Sequence, residues 1–492
     1  MTSASSPIPP LDLEAERRAS ADLPNADLRA AMHRVADLVA DYLEHVGERP
    51  VLPPIGPGAV RAQLPPVPPE QGEPLDAILA DYQRFVLPAT THWNHPGFLA
   101  YFGITGSAPG IVAEALTAAL NVNAMLWRTG PAATELEELA CDWLRQMLAL
   151  PAEFRGHIND TASISTFLAL AAARQRAPFG VRERGLAGRA EVPPLIVYAS
   201  DQAHSSIDKG ALALGLGLDN VRRVESDDAF RLDPRALERA IAEDRRAGRH
   251  PLAVVATAGT TSTTSVDPLA ELASIAERER LWLHVDAAYG GAAAICPEMR
   301  PWFAGLERAD SIVVNPHKWM FVPVDCSVLL LRDPRLLREA FTLVPDYLQT
   351  SEGATNLMDY GIQLGRRFRA LKLWMVVRAF GVEGLRQRIR AHCAMARRFA
   401  EWVAADPRFE VAAPVPFSTV CFRLRDAGRG AAESDARNER LLAAVNASGL
   451  ALLSQTRLRG RFVLRLAIGN LRTGEERLRA VWALVQESAD RV

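Results

Sequence analysis

The sequence is short of three things, and each shortage closes off a class of protein. Its five cysteines, at positions 141, 296, 326, 393 and 421, form no CxxC pair and no metal-ligand spacing, which excludes a disulfide framework or a cysteine-bound metal as the organising feature. Scattered thiols of this kind fit a reduced, cytoplasmic protein. No apolar run approaches the roughly 18 residues that a membrane span needs. The N-terminus, MTSASSPIPPLDLEAERRAS, has no basic region leading into an apolar core, so it reads as a disordered tail rather than a signal peptide. An excess of charge of either sign is also missing: 56 Lys and Arg stand against 58 Asp and Glu, a formal net charge of -2. That balance supplies no electrostatic reason for a nucleic-acid or anionic-membrane partner.

What remains is an ordinary soluble composition, 49% hydrophobic and 23% charged, in a chain of 492 residues that is too long for one small core. Apolar positions at helical spacing predict a helix over about 25–46, followed by a proline-rich connector over 49–74 and a second helix over 75–85. These elements cannot enclose much core alone and must pack on the rest of the chain or on a second subunit. Helices are predicted over 109–127 and 134–150. Thr161, Ala162 and Ser163 then open another, whose start leaves backbone N–H groups free for an anion or for an ordinary cap. Downstream, apolar strands over 195–198, 252–257, 281–286, 311–314 and 326–331 alternate with helices or long connections. That pattern implies a mainly parallel sheet covered on both faces. A long helix from about 366 to 380 leads into a smaller α+β domain with strands near 409–411, 419–424 and 462–467. The pair Gly215 and Gly217 lacks the third glycine and the strand-turn-helix setting of a dinucleotide loop.

Three strand ends carry chemistry. Ile312, Val313 and Val314 form a β-branched run that Asn315-Pro316 stops, and His317 and Lys318 follow at once. A lysine in that place is either solvated or held inside for a reason, because burial strips its hydration. Asp286 ends the strand LWLHVD, and His204 lies just beyond the strand that ends at Tyr198. Ligands of open α/β sheets sit beyond the carboxyl ends of the strands, so the three can converge. An amine, a carboxylate and an imidazole suit pyridoxal phosphate: a Schiff base with the aldehyde, a partner for the ring nitrogen, and a cover for the ring face.

With those residues in view, the chain resembles the group II pyridoxal-phosphate-dependent decarboxylases, and most closely their aromatic L-amino acid decarboxylase branch. HVDAAYGG, NPHKW, SDQAHSS, THWNHPGFLAYF and LGRRFR occur in family order, from about Leu28 to the C-terminus. The resemblance implies an aspartate-aminotransferase-type fold (fold type I): an α/β protein with a mainly parallel central sheet and a small C-terminal α+β domain. It divides the chain into an N-terminal helical segment (1–107) that wraps over a partner subunit, a large cofactor-binding domain (108–371) and the small domain (372–492). It also implies a homodimer with interface active sites and a small-molecule amino-acid substrate.

Residue by residue, the resemblance makes Lys318 the Schiff-base lysine, Asp286 the partner of the pyridine nitrogen and His204 the stacking histidine. Ala162 and Ser163 match the phosphate cradle, Asn315 and His317 flank the lysine, and Thr257 and Ala288 hold matching cofactor-pocket places. Tyr347 resembles the tyrosine that returns a proton after carbon dioxide leaves. Trp93, Tyr101, Phe102, Asn123 and Met125 fall where the branch lines its substrate pocket, some of them reaching the neighbouring site. Ile104 replaces a more polar residue of animal members, Asn123 and Met125 replace larger apolar ones, and Gly365 stands where histidine decarboxylases carry serine. The implied activity is decarboxylation of aromatic L-amino acids, tryptophan or phenylalanine ahead of DOPA, with tyrosine also within reach. An aromatic aldehyde synthase, a glutamate or histidine decarboxylase and a non-catalytic cofactor-binding protein are the alternatives. A lysine Schiff base by itself does not select among them.

Overall fold

The computed structural model describes residues 22–343, 354–425, 428 and 430–492. The N-terminal tail and the loop bearing Tyr347 lie outside that set. The chain divides into two compact units, one of Met1–Arg49 with Pro53–Thr91, the other of Pro50–Leu52 with His92–Val492. In the first unit the helix Asn25–His45 carries the expected periodicity. The second expected helix, over 75–85, is α-helical only through Leu75–Asp81 and relaxes into a wider π turn at Tyr82–Val86. Leu28, Met32, Ile78 and Tyr82 remain exposed on this unit.

The larger unit is built on a seven-stranded sheet whose spatial order is β2 (Arg155–Asn159), β8 (Ser327–Leu331), β7 (Ser311–Val314), β6 (Trp282–Asp286), β5 (His250–Thr257), β3 (Leu195–Ser200) and β4 (Val221–Val224). The run from β7 to β4 is parallel, while β8 is antiparallel to both neighbours. Two reversals return β2 to the common direction, so the carboxyl ends of six strands share one edge. Strands β3, β6, β7 and β8 are buried throughout, which is why they read as continuous apolar runs. β2 and β4 escaped the sequence reading because RGHIN and VRRV, at the two sheet edges, carry charge and little apolar content.

A second sheet of five strands runs β1 (Phe98–Leu99), β11 (Leu452–Leu458), β12 (Arg461–Ala467), β10 (Thr419–Leu424), β9 (Phe409–Val411). β11, LLSQTRL, alternates too weakly to stand out in the sequence. Residues 98–99 add to its edge in parallel, which fixes the aromatic segment 93–104 against this sheet. The helix expected near 366–380 begins at Ala370 and continues to Ala405, broken at Gly381, where φ is 63° and ψ is 164°. A positive φ costs glycine nothing, and it lets two helical halves meet at an angle. The helix expected over 109–127 stops at Leu120, because Asn121 adopts the left-handed conformation (φ 46°) that ends helices.

A buried ion pair locks β2 into this unit. Glu137 Oε1, on the helix Pro131–Met147, accepts from the Ile158 amide at 2.9 Å and from Arg366 Nη2 at 2.8 Å. Arg366 Nη2 also donates to the Ile158 carbonyl at 2.7 Å. Both side chains are almost fully buried. Removing one partner strands the other charge, which costs about 3–5 kcal/mol, whereas an apolar pair of similar volume is tolerated. Glu137→Ala is therefore expected to lower the urea-unfolding midpoint well below that of the double variant Glu137→Met/Arg366→Leu; equal midpoints would remove the pair from this role.

Candidate active site

The sheet order sets the site. β7, β6, β5 and β3 are consecutive neighbours, and their carboxyl ends present in turn Lys318, Asp286, Thr257 and His204. Within the ladder Thr257 pairs with Asp286 and Asp286 with Val313. The four side chains, with Ala162 beyond β2, face one cavity of about 330 Å³, within the range of small-molecule sites. Its far wall comes from Trp93, Tyr101, Phe102 and Ile104 and from the smaller sheet's Ser454, Gln455, Thr456 and Arg465. Gly259, Thr261, Ser262, Ala288 and Tyr289 complete it.

Lys318 sits in the single helical turn Pro316–Trp319 that follows β7. Protein surrounds it except on the cavity side, and burial, reinforced by the charge of Arg465, lowers its pKa while Asp286 pulls it back up. No carboxylate lies within ion-pair distance of its amine among the described residues. The ammonium instead faces the Phe102 ring at 5.2 Å, a cation–π distance. A lysine so placed loses its proton more easily than one in water and becomes a nucleophile.

Asp286 is buried, and its Oδ1 accepts from the Ala288 amide at 3.0 Å. The second oxygen has no partner among the described residues. His204 Nδ1 accepts from the Ser206 amide at 3.1 Å, which leaves the proton on Nε2, and burial lowers its pKa. Thr257 Oγ1 is buried without a partner. Its amide donates to Asp267 at 2.7 Å, and burial raises that carboxyl to about 7. The helix Ala162–Arg176 starts at Thr161, whose hydroxyl turns back to Asp160 instead of capping, so the first amides stay open.

A stack of rings underlies the cavity. Phe102 lies 3.8 Å from Tyr289, Tyr289 lies 4.7 Å from Trp319, and the planes of the second pair differ by 4°. The Arg465 guanidinium lies over the Phe102 ring at 4.6 Å. Its Nε donates to the Ser262 carbonyl at 3.0 Å and its Nη1 to the Tyr101 carbonyl, while Nη2 is buried and unpartnered. That bond supports Tyr101 in a left-handed conformation (φ 53°), unusual for a residue with a side chain.

Not every expected residue reaches this cavity within one chain. Ser163 follows Ala162 one step into its helix. Asn315 is buried with Oδ1 unpartnered, and its carbonyl accepts from the Lys318 amide at 2.9 Å. His317 points away from the cavity: its Nδ1 accepts from the Cys326 amide at 2.8 Å, and burial pushes its pKa down to about 3. Asn123, Met125 and Gly365 cluster together elsewhere. Asn123 Oδ1 accepts from the Arg366 amide at 2.9 Å, its amide nitrogen lies 3.4 Å from Met125 Sδ, and a Cβ on Gly365 would meet only that same amide, at 3.9 Å. Tyr347 lies outside the described residues. Conversely, Tyr289 and Arg465 carry no role in the sequence reading. Tyr289 lies inside the HVDAAYGG motif, and Arg465 is the one charge in the buried run FVLRLA, a break in pattern that signals a site residue.

The groups present fit pyridoxal phosphate: a depressed amine, an uncommitted carboxylate oxygen, an imidazole, an orphan hydroxyl and open helix amides on one cavity. Among the described residues no group of three or more His, Cys, Asp or Glu could hold a metal ion. Residues 57–425 match the model of the pyridoxal-dependent decarboxylase conserved domain. Tryptophan decarboxylase 2 of Oryza sativa subsp. japonica is 40% identical over 477 residues, covering 94% of this chain and 95% of the relative. Phenylacetaldehyde synthase of Arabidopsis thaliana is also 40% identical, over 474 residues, covering 94% and 96%. The crystal structure of Oryza sativa TDC with PLP and tryptamine superposes with a TM-score of 0.92 at 38% identity, covering 96% of this chain and 99% of that one. The fold is thus that of the PLP-dependent decarboxylases, and the chain is an enzyme of the pyridoxal-dependent decarboxylase family that uses pyridoxal phosphate.

Proposed function

We propose that this enzyme decarboxylates aromatic L-amino acids, tryptophan and phenylalanine ahead of DOPA, as a cytoplasmic homodimer. The observation that carries the substrate class is the wall facing Lys318: Trp93, Tyr101, Phe102 and Ile104 offer ring-sized apolar surface, and Trp93 stacks with Tyr101 at 6.0 Å. Aromatic pairs contribute about 0.5–1.5 kcal/mol beyond area burial. Ile104 cannot bond a catechol, and a buried hydroxyl without a partner costs about 1–3 kcal/mol. The tryptamine complex of the rice relative supports the same class.

Lys318 would hold the cofactor aldehyde, the amides at Ala162 and Ser163 its phosphate, Asp286 its ring nitrogen, Thr257 and Ala288 its edge and His204 its face. Bound there, pyridoxal phosphate supplies an electron-poor ring that takes up the electron pair released as carbon dioxide departs. Asp286 keeps the ring nitrogen protonated by its opposite charge, a pull on the order of 1–3 pKa units. Asn315 and His317 hold the lysine turn from below. Tyr347 returns a proton to the α-carbon. The cavity walls exclude water meanwhile.

A second copy of the chain accounts for what one copy leaves open. Val112, Leu116 and Leu120, 53%, 48% and 58% exposed, form an apolar stripe on the helix Ala108–Leu120. Ile362 and Leu364 are exposed beside Gly365. We place this face, with Asn123, Met125 and Gly365, against the partner's cavity, and the N-terminal segment 1–107, with exposed Leu28, Met32, Ile78 and Tyr82, on the partner subunit. The large domain, 108–371, and the small domain, 372–492, then close on the site. All five cysteines are free and buried, in keeping with a cytoplasmic protein, and no helix among the described residues is long and apolar enough to cross a membrane.

The oxidative aldehyde-forming reaction is the second reading, because the plant phenylacetaldehyde synthase is as similar as the tryptophan decarboxylase. Tyr347 and His204 favour decarboxylation.

Three outcomes are expected. Across the twenty amino acids, with carbon dioxide and amine both measured, tryptophan and phenylalanine should lead; a tenfold lead in kcat/KM for DOPA or tyrosine refutes the pocket argument, and release from glutamate alone refutes the aromatic class. Asp286→Asn should bind cofactor yet lose roughly two pKa units of electrostatic support, about a hundredfold in kcat; near-normal turnover removes Asp286 from its role. Tyr347→Phe should divert product from amine to aldehyde, ammonia and peroxide, with molecular oxygen as the oxidant and water supplying the aldehyde oxygen. Amine at the wild-type rate would show that the proton comes from another group.

A further inference from the structure

We propose that His392, which lines no part of the cavity, is a positioning residue that couples the turn carrying Lys318 to the aromatic wall that receives the substrate ring. It lies on the long helix Ala370–Ala405, past the break at Gly381, and is buried. Trp319, the next residue after Lys318, donates its Nε1–H to His392 Nδ1 at 2.9 Å. The rings of the two lie nearly parallel, 6.4 Å apart at 7°, so His392 ends the stack that begins at Phe102. Phe321 closes the edge of the imidazole at 5.8 Å.

On its other side the imidazole lies beside the backbone of Asn470, which favours its charged form against the pull of burial. Asn470 is the hub of the opposite wall: its side-chain amide donates to the Trp93 carbonyl at 3.0 Å and to the His95 carbonyl at 2.9 Å. One residue earlier, the Gly469 carbonyl accepts from Thr105 Oγ1 at 3.4 Å, and Gly103 packs so closely on Gly469 that a Cβ there would come within 3.2 Å of its backbone. Gly103 lies between Phe102 and Ile104. The exit of β12 therefore backs the whole segment from Trp93 to Ile104, and His392 lies between that exit and Trp319.

The imidazole is suited to this. Burial lowers its pKa to about 4, so near neutral pH it is uncharged, and Nδ1 is free to accept from Trp319. A core histidine kept only for packing would need neither the Trp319 bond nor a place in line with the ring stack. Reaction rate depends on the relative placement of these walls, because a displacement on the ångström scale costs about a hundredfold.

The inference rests on Lys318 as the cofactor-bearing residue, and the experiment keeps the two apart. His392→Phe retains a ring and removes the Trp319 hydrogen bond; His392→Asn returns an acceptor near Nδ1; Trp319→Phe removes the donor. Each variant is loaded with pyridoxal phosphate, and two quantities are read: kcat and KM on the best substrate, and the pH midpoint of the visible absorbance of the bound cofactor. His392→Phe is expected to bind cofactor, lower kcat about tenfold to a hundredfold with KM changed less, and move the spectral midpoint by about half a pH unit. His392→Asn should recover part of both. The double variant His392→Phe/Trp319→Phe should be no worse than the poorer single variant, because both break one link. Wild-type kcat and midpoint in His392→Phe, or fully additive losses in the double variant, overturn the coupling even if stability falls. If the wild-type protein binds cofactor at Lys318 but turns over no aromatic amino acid, the proposed function fails, and the spectral midpoints alone still decide the role of His392.

Discussion

The stack from Phe102 through Tyr289 to Trp319 is the contact on which the site depends, because it joins parts of the chain that share no strand. Phe102 belongs to the segment laid along the smaller sheet, Tyr289 follows β6 of the larger sheet, and Trp319 closes the turn after β7. Offset aromatic pairs have a preferred spacing and tilt, so the rings set a distance between the two sheets as well as holding them. The Tyr289 hydroxyl bonds Ser418 beside β10, and burial raises its pKa, so it stays a neutral donor within this junction. The cavity is the space left above that stack.

Two cations, Lys318 and Arg465, share the face and surroundings of one ring with no carboxylate in ion-pair range of either among the described residues. Burying unpaired charge is costly, and a protein tolerates it where the charge is wanted. Here the cost appears as depressed pKa values for both groups. For the lysine that depression brings the neutral, nucleophilic amine within easier reach. Arginine stays charged, so its depression does not become deprotonation. It anchors Tyr101 in a backbone conformation that the chain would not otherwise hold.

Asn123, Met125 and Gly365 gather away from the cavity wall. Their cluster lies by the Arg366 segment, near helix residues that leave an apolar stripe in water. Val112, Leu116, Leu120, Ile362 and Leu364 are the exposed apolar side chains there.

Much of this was legible in the sequence. Strand ends at Asp286 and Val314, the helix start at Ala162 and the break at Gly381 follow from apolar periodicity and from residues with few conformations. The chemical set of lysine, carboxylate and imidazole was readable too, because each stands where a buried strand stops. Edge strands β2 and β4 and the weakly alternating β11 were not, since their pairing is decided by neighbours far along the chain. Tertiary structure alone decided that Arg465 enters the cavity, because a single arginine in an apolar strand gains a role only when Ser262 and the Tyr101 carbonyl arrive from elsewhere. It likewise decided that Thr257 and Asp286 are ladder partners, which follows from strand order rather than from strand content. Local residue chemistry determines which groups a strand end offers; only the packing of sheets and rings determines which of them meet.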